Sequence, residues 1–362
     1  MKKALLATTA LVMSAGIAAA DVTISGYGRT GVVHYEDGAF GWHGFTTPDA
    51  DPGAAIDAKD TQIVSRLRMN IDATTETDAG VEFGGRLRLQ WDQNHGSRGA
   101  SASTNAGKLW ISAQGLTVEM GNVESALETT KLFYASELGA FDRSVGGNMI
   151  GSFFAYDASP YTTGRVGVGA IYSFGDVNVR ASYIDPDQTQ DLAASVPGGN
   201  GAAMAAIERD EELSIGIDYT WNERLELAAA AVKSGGGWDG NDLFFVGARY
   251  AVLDNAHVGL NYYDNGDVIG GGMHGIRAAA EMGATYDLGS TVTLYGDYTL
   301  ADGLTNIEAY VANNDGDWVA KETDNAFGIG VNYDLGGARL GASVQRDYQE
   351  RTSADMGVRF EF

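Results

Sequence analysis

Asp355–Phe362 reads "DMGVRFEF": Met356, Val358, Phe360 and Phe362 are apolar, while Asp355, Gly357, Arg359 and Glu361 between them are not. A period of two places these two sets on opposite faces of a β-strand. Final residues of water-soluble domains ordinarily fray, so an alternation that runs to an aromatic last residue asks for a strand partner and an apolar surrounding. Val22–Arg29, "VTISGYGR", supplies the partner, with Val22 and Ile24 on its apolar face. Pairing the first strand with the last closes the sheet on itself, which abolishes edges that lipid could not satisfy.

The same alternation recurs between these ends. It is visible in "RLRMNID" (Arg66–Asp72), "VEFGGRLRLQWD" (Val81–Asp92), "VNVRASY" (Val177–Tyr183) and "SIGIDYTW" (Ser214–Trp221). Aromatic strand ends at Tyr172, Tyr219, Tyr250, Tyr286 and Tyr333 run into tight Gly, Asn or Asp turns. Long, polar, acidic insertions sit at other strand ends, most clearly Asp37 to Lys59, Pro186 to Asp210 and Asp302 to Thr323. Strands are expected to begin near 22, 61, 81, 106, 116, 166, 177, 211, 224, 242, 256, 276, 291, 323, 338 and 353. That is about 16, the even number a single-chain bacterial barrel needs. A secreted sandwich or β-helix would alternate in the same way locally, but gives no reason to segregate short turns from long loops. The expected fold is all-β: a 16-stranded antiparallel transmembrane barrel with short periplasmic turns and long outer loops.

Composition is consistent with this. Lys2 and Lys3, an apolar run from Ala4 to Ile17 and "AAA" before Asp21 describe a secretory signal peptide over residues 1–20, leaving 21–362 as a single barrel domain. No later apolar run reaches the roughly 18 residues of a membrane-spanning helix. The formal net charge of −24 argues against a nucleic-acid role. The absence of cysteine removes thiol nucleophiles, thiolate-ligated zinc and thiol redox chemistry. Five histidines, at 34, 43, 95, 257 and 274, form no HExxH-type pair, and none is placed beside a nucleophile by sequence alone. No enzyme activity and no cofactor are expected.

"GVRFEF" is similar to the signal by which outer-membrane proteins are recognised by the barrel assembly machinery, with Val358, Phe360 and Phe362 as its apolar positions. "VTISGYGRTGVVHYED", "MGNVESALE" and "YSFGDVNVRASY" resemble the trimeric general-diffusion porins of alphaproteobacteria, over the whole of Asp21 to Phe362. The resemblance implies a homotrimer in outer-membrane lipid and lipopolysaccharide, passive diffusion of small hydrophilic solutes and ions, and a third loop folded into the lumen.

The longest break between strands, 124–165, follows the fifth strand and carries Leu127, Leu132, Phe133, Tyr134, Leu138, Phe141, Phe153, Phe154 and Tyr156. Loops this long are usually functional. Tucked into the lumen, its aromatics would pack on the inner wall; a surface cap or an interface loop is the other reading. It brings Glu124, Glu128, Glu137, Asp142 and Asp157, of which the first four are the candidate acids of a pore constriction. Parity turns Arg29, Arg66, Arg68, Arg86 and Arg88 inward, because their neighbours Leu67, Met69, Leu87 and Leu89 must face lipid, where an arginine costs about 2–4 kcal/mol at mid-bilayer. Opposed loop acids and wall arginines would set a transverse field across the pore. Arg180, Arg249, Arg277, Arg339 and Arg359 are also inward by parity, as neutralisers of lumen acids, and Lys131 and Arg143 lie on the loop itself.

Three signals compete. "GYGRTG" (Gly26–Gly31) fits GxGxxG, but strand rather than helix follows it. "NNDGDW" at Asn313 and "YDNGD" at Tyr263 are incomplete calcium loops, so acidic outer loops are candidates for Ca2+ only as a class. Tyr27 and Trp110 are inward aromatics of the kind a substrate-selective channel would use. A plugged structural barrel or an enzymatic barrel would share the same strand pattern.

Overall fold

The computed structural model describes residues 21–36, 60–93, 102–104, 107–150, 166–185, 210–237, 240–268, 286–317 and 321–362. Sixteen antiparallel strands form the wall: β1 Asp21–Tyr35, β2 Thr61–Glu76, β3 Glu82–Gln93, β4 Lys108–Ala113, β5 Leu116–Gly121, β6 Val166–Phe174, β7 Val177–Asp185 and β8 Glu212–Trp221. The second half comprises β9 Leu225–Lys233, β10 Leu243–Leu253, β11 Ala256–Asp264, β12 Ser290–Thr299, β13 Thr305–Asn314, β14 Asn325–Asp334, β15 Ala338–Arg346 and β16 Thr352–Glu361. Each pairs with its sequence neighbours, and β1 pairs with both β2 and β16, so the sheet closes.

Closure is made in detail at the two termini of the wall. The Gly26 amide donates to the Phe362 carbonyl at 2.8 Å and the Phe362 amide to the Gly26 carbonyl at 3.1 Å. Gly28 faces Phe360 in register, and the Phe360 ring lies so close that a Cβ at 28 would come within 2.4 Å of it. A residue without a side chain at 28 lets the Phe360 ring fold across the seam where it stands.

The apolar set faces outward. Ile63, Leu109 and Met356 are 66, 68 and 66% exposed in the isolated chain, while inward Asn261, Thr291 and Thr293 are at 0%. This inverts a soluble protein, and lipid is the solvent that makes it favourable. Aromatics ring both ends of the wall: Tyr172, Trp221, Tyr250, Tyr298, Tyr333 and Phe360 at the short-turn end, Tyr183, Phe244, Tyr262 and Phe327 at the other.

Two expectations about the loops are corrected. Asp302 to Thr323 is not an outer insertion, because Thr305–Asn314 is the strand β13, paired to β12 and β14. Asp302 instead builds the short turn before it, accepting the amides of Leu304 and Thr305 at 2.9 Å. Nor is Tyr286 at a short turn: Tyr286–Asp287 pairs with Asp267–Val268 at the opposite end. β13 hides from the alternation rule because its inward Tyr310 and Ala312 are themselves buried and apolar. The expected strand near 276 falls outside the described residues, as do Arg277 and His274, and β13 completes the sixteen in its place.

Candidate functional site

The apolar core of this molecule lies inside the barrel, between the wall and the segment 122–150 that follows β5. Leu127, Leu132, Phe133 and Met149 pack on Ala228, Ala230, Val232, Leu243, Phe245 and Tyr263 of the wall. Phe133 meets Phe245 and Tyr263 edge-on, with centroids 5.4 and 5.6 Å apart. Further along, Leu138 and Ile150 pack with Tyr295, Tyr310, Ala326 and Tyr348, and Ala140 and Phe141 with Val33. Gly341 lets the segment's backbone approach the wall: a Cβ there would lie 2.3 Å from the Ala140 nitrogen.

Backbone groups of this irregular segment would be costly if left unpaired. Inward polar side chains from successive strands satisfy them. The Ser214 hydroxyl accepts from the Ala126 amide at 2.8 Å, and Asp218 from the Lys131 amide at 2.8 Å. Asn261 and Tyr263 donate to the carbonyls of Leu132 and Phe133, both at 2.8 Å. Thr293 donates to the Gly147 carbonyl at 2.9 Å, and Tyr348 to the Gly146 carbonyl at 2.8 Å. Gln345 accepts from the Val145 amide and donates to the Arg143 carbonyl, both at 3.0 Å. The segment therefore runs along the inner wall from β8 round to β16.

The four candidate acids meet different fates. Glu124 receives the Lys108 ammonium at 2.5 Å; Lys108 also holds Glu119 at 3.1 Å, and inward parity on the short strand β4 is the signal that could have singled it out. Glu128 and Ser125 exchange side-chain-to-amide bonds at 3.2 Å in both directions, a reciprocal cap of the segment's first turn. Asp142 is gripped by Arg339 and Arg359 together. Glu137 lines a cavity of about 610 Å³ shared with Arg249, Arg339, Arg359, Asp297 and Glu308. Burial pushes the Glu137 carboxyl above the usual carboxylate range, and Arg29, Arg359 and Arg339 pull it back. Asp157 falls outside the described residues.

All five wall arginines have partners inside the barrel, four on the wall itself and one on the segment 122–150. Arg66 bonds Asp92 at 2.5 Å and Arg86 bonds Asp72 at 2.6 Å, so two of them are matched by acids of their own wall. Arg68 donates to Gln90 at 2.6 Å, Arg88 to Asn70 at 2.8 Å, and Arg29 to the Phe141 carbonyl. Strand register brings Arg339, Arg359, Arg29 and Arg66 directly opposite one another on four adjacent strands, with Asp334 and Asp92 at the ends of the row. This row crosses the seam between β16 and β1, which no local sequence window spans. Arg180 is held by Asp218, and Arg249 bridges Asp297 at 2.8 Å and Glu226 at 3.6 Å. Trp110 donates to Glu82 at 2.8 Å. No group of three or more metal-ligating side chains occurs among the described residues.

The sequence model of the Gram-negative porins matches residues 7–358. The chain belongs to that family. A porin of Fuscovulum blasticum is 38% identical over 347 residues, 94% of this chain and 100% of that one. A porin of Rhodobacter capsulatus is 26% identical, over 87% of this chain and 98% of the other. Among solved structures, a triply substituted variant of the Rh. blastica porin superposes with a TM-score of 0.74 at 37% identity, covering 94% of this chain and all of that chain. As a Gram-negative porin with a closed 16-stranded barrel, the protein is an outer-membrane diffusion channel.

Proposed function

We propose that this porin is a homotrimeric, water-filled channel for small hydrophilic solutes and ions, narrowed by the loop 124–165 and without catalytic activity. Residues 1–20 are the export signal, and Val358, Phe360 and Phe362 address the barrel to its assembly machinery. Calcium, where it binds, belongs to the acidic outer loops, and lipopolysaccharide surrounds them. Glu137 and Asp142 then form the acidic side of the constriction and Arg29, Arg66, Arg68, Arg86 and Arg88 the basic side, while Glu124 and Glu128 anchor the loop's entry.

The strongest support is Asp142, brought by the loop into the row of wall arginines between Arg339 and Arg359. Inward anchoring of a loop that could otherwise cap the barrel leaves the arginine wall of β1 to β3 facing the lumen. The six-residue strands β4 and β5, with small outward Gly85 beside them on β3, support close packing of subunits. The test is single-channel current through the refolded protein in a planar bilayer under a salt gradient. Current that closes in three equal steps supports an open trimer, and the reversal potential reads the ion preference. A folded barrel that passes no current contradicts the reading.

A further inference from the structure

Tyr27 stands at the centre of the arginine wall. Arg359, Arg68 and Arg29 lie 4.3, 5.4 and 5.8 Å from its ring centroid, and Arg66 donates to its hydroxyl at 3.3 Å. Like charges facing each other across strands destabilise a sheet unless something neutralises them. Within this group Arg66 has Asp92, and Arg359 has Asp142 and Glu361. Arg29 and Arg68 differ: their hydrogen-bond partners are neutral, the Phe141 carbonyl and the Gln90 side-chain oxygen. Among the described residues, two guanidinium charges around one ring are thus satisfied in hydrogen bonding only in part and have no ion-pair partner of their own. Both side chains are half-buried and belong to the inner face.

From this we infer that Tyr27, Arg29 and Arg68 form a retention site for phosphate-bearing solutes within the lumen. A guanidinium offers five donors in a planar fork, and Arg29 and Arg68 each spend one on these neutral partners. A carboxylate has two oxygens and one charge, enough for one fork. A phosphate monoester has three terminal oxygens and a charge of about −1.5 to −2 at neutral pH, enough for both arginines. The chain's net charge of −24 does not prevent this. Exposed charges are screened beyond about 8 Å at physiological salt, so the local arginines set the field at Tyr27. The inference rests on the proposed wetted lumen but goes past a sieve: the site slows one class of anion as it passes.

Inorganic phosphate is the probe, applied to the refolded porin in two measurements. In planar bilayers, phosphate is expected to reduce chloride-carried current in a saturable way that added chloride at equal ionic strength does not. Arg68→Gln should raise the half-blocking concentration about tenfold or more, and Arg68→Lys, which keeps the charge and loses the fork, should fall between. Arg224→Gln, at the short-turn surface, should leave it unchanged. In calorimetry of the detergent-folded barrel, phosphate heat should be present in the wild type and lost in Arg68→Gln, with far-ultraviolet dichroism confirming that both are folded. A channel that conducts but responds to phosphate only as to chloride overturns the inference and leaves the porin reading standing. Phosphate heat in a barrel that conducts nothing supports the site and sinks the diffusion reading. Neither current nor heat overturns both.

Discussion

Two stretches of the inner wall obey the same two-residue alternation and end up as different materials. On β8 to β15 the inward positions are largely small, aromatic or neutral polar: Ala230, Phe245, Asn261, Thr293, Tyr310 and Gln345 are all buried. On β1 to β3 the inward positions are Tyr27, Arg29, Arg66, Arg68, Arg86 and Arg88, among acids and amides. Those side chains are sealed because the segment 122–150 lies on them and takes their hydrogen bonds, while Arg249, Asp297, Glu308 and Arg339 of the same strands border the cavity instead. The second stretch keeps its charge because its arginines are met by acids and amides of the same wall, while the segment touches it at Arg29 and Val33. Inside a barrel, inward parity alone does not tell what a residue does; the presence or absence of the loop does.

The largest effect on this contrast is expected from Phe133→Ala. Phe133 is fully buried between loop and wall, and removing such a ring costs about 3–5 kcal/mol. Urea unfolding should show the loss, and single-channel records should become noisier as the loop detaches. Asp142→Asn comes next. Asp142 and Arg339 retain 30 and 35% exposure, so about 2 kcal/mol is expected rather than the loss of a fully buried pair. Its clearer signature is a reversal potential moved towards anions, since Arg339 and Arg359 lose their shared acid.

A smaller effect follows pH. Because the Glu137 carboxyl titrates above its unfolded value, it carries a proton in the folded barrel after it has lost it in the unfolded chain. Stability should therefore decline as pH rises from the ordinary carboxylate range towards about 8, and cation preference should rise over the same window. Glu137→Gln should flatten both curves. The smallest change is Lys131→Met: its bridge to Glu226 is 43% exposed on the lysine side, so less than about 1 kcal/mol should be lost in the same unfolding assay.

Much of the fold is legible in the sequence because lipid demands an uninterrupted outward apolar set, which a period of two displays. Where the inward set is apolar too, as at Tyr310 and Ala312, the pattern blurs, and β13 resembles a loop for that reason. Parity also turns the wall arginines to the correct face, because lipid excludes them. The partners are not legible. Arg339 grips Asp142 from 197 positions away, and only the β16–β1 register aligns Arg359 with Arg29. Likewise Ser214, Asn261, Thr293 and Gln345 look like ordinary water-facing residues in a strand, yet they bind the loop's backbone.

Arg68 lies on the channel side of the wall while Ala230 lies beneath the segment 122–150, and thiol labelling separates the two. The chain has no cysteine, so a single introduced thiol reports on one position. Arg68→Cys and Ala230→Cys in the refolded porin should be treated with a negatively charged, membrane-impermeant thiol reagent while current is recorded. Rapid labelling and a drop in current are expected at position 68, and protection at position 230 beneath Leu132 and Phe133. Equal labelling at both positions, or protection at 68 with reaction at 230, would refute the division of the wall.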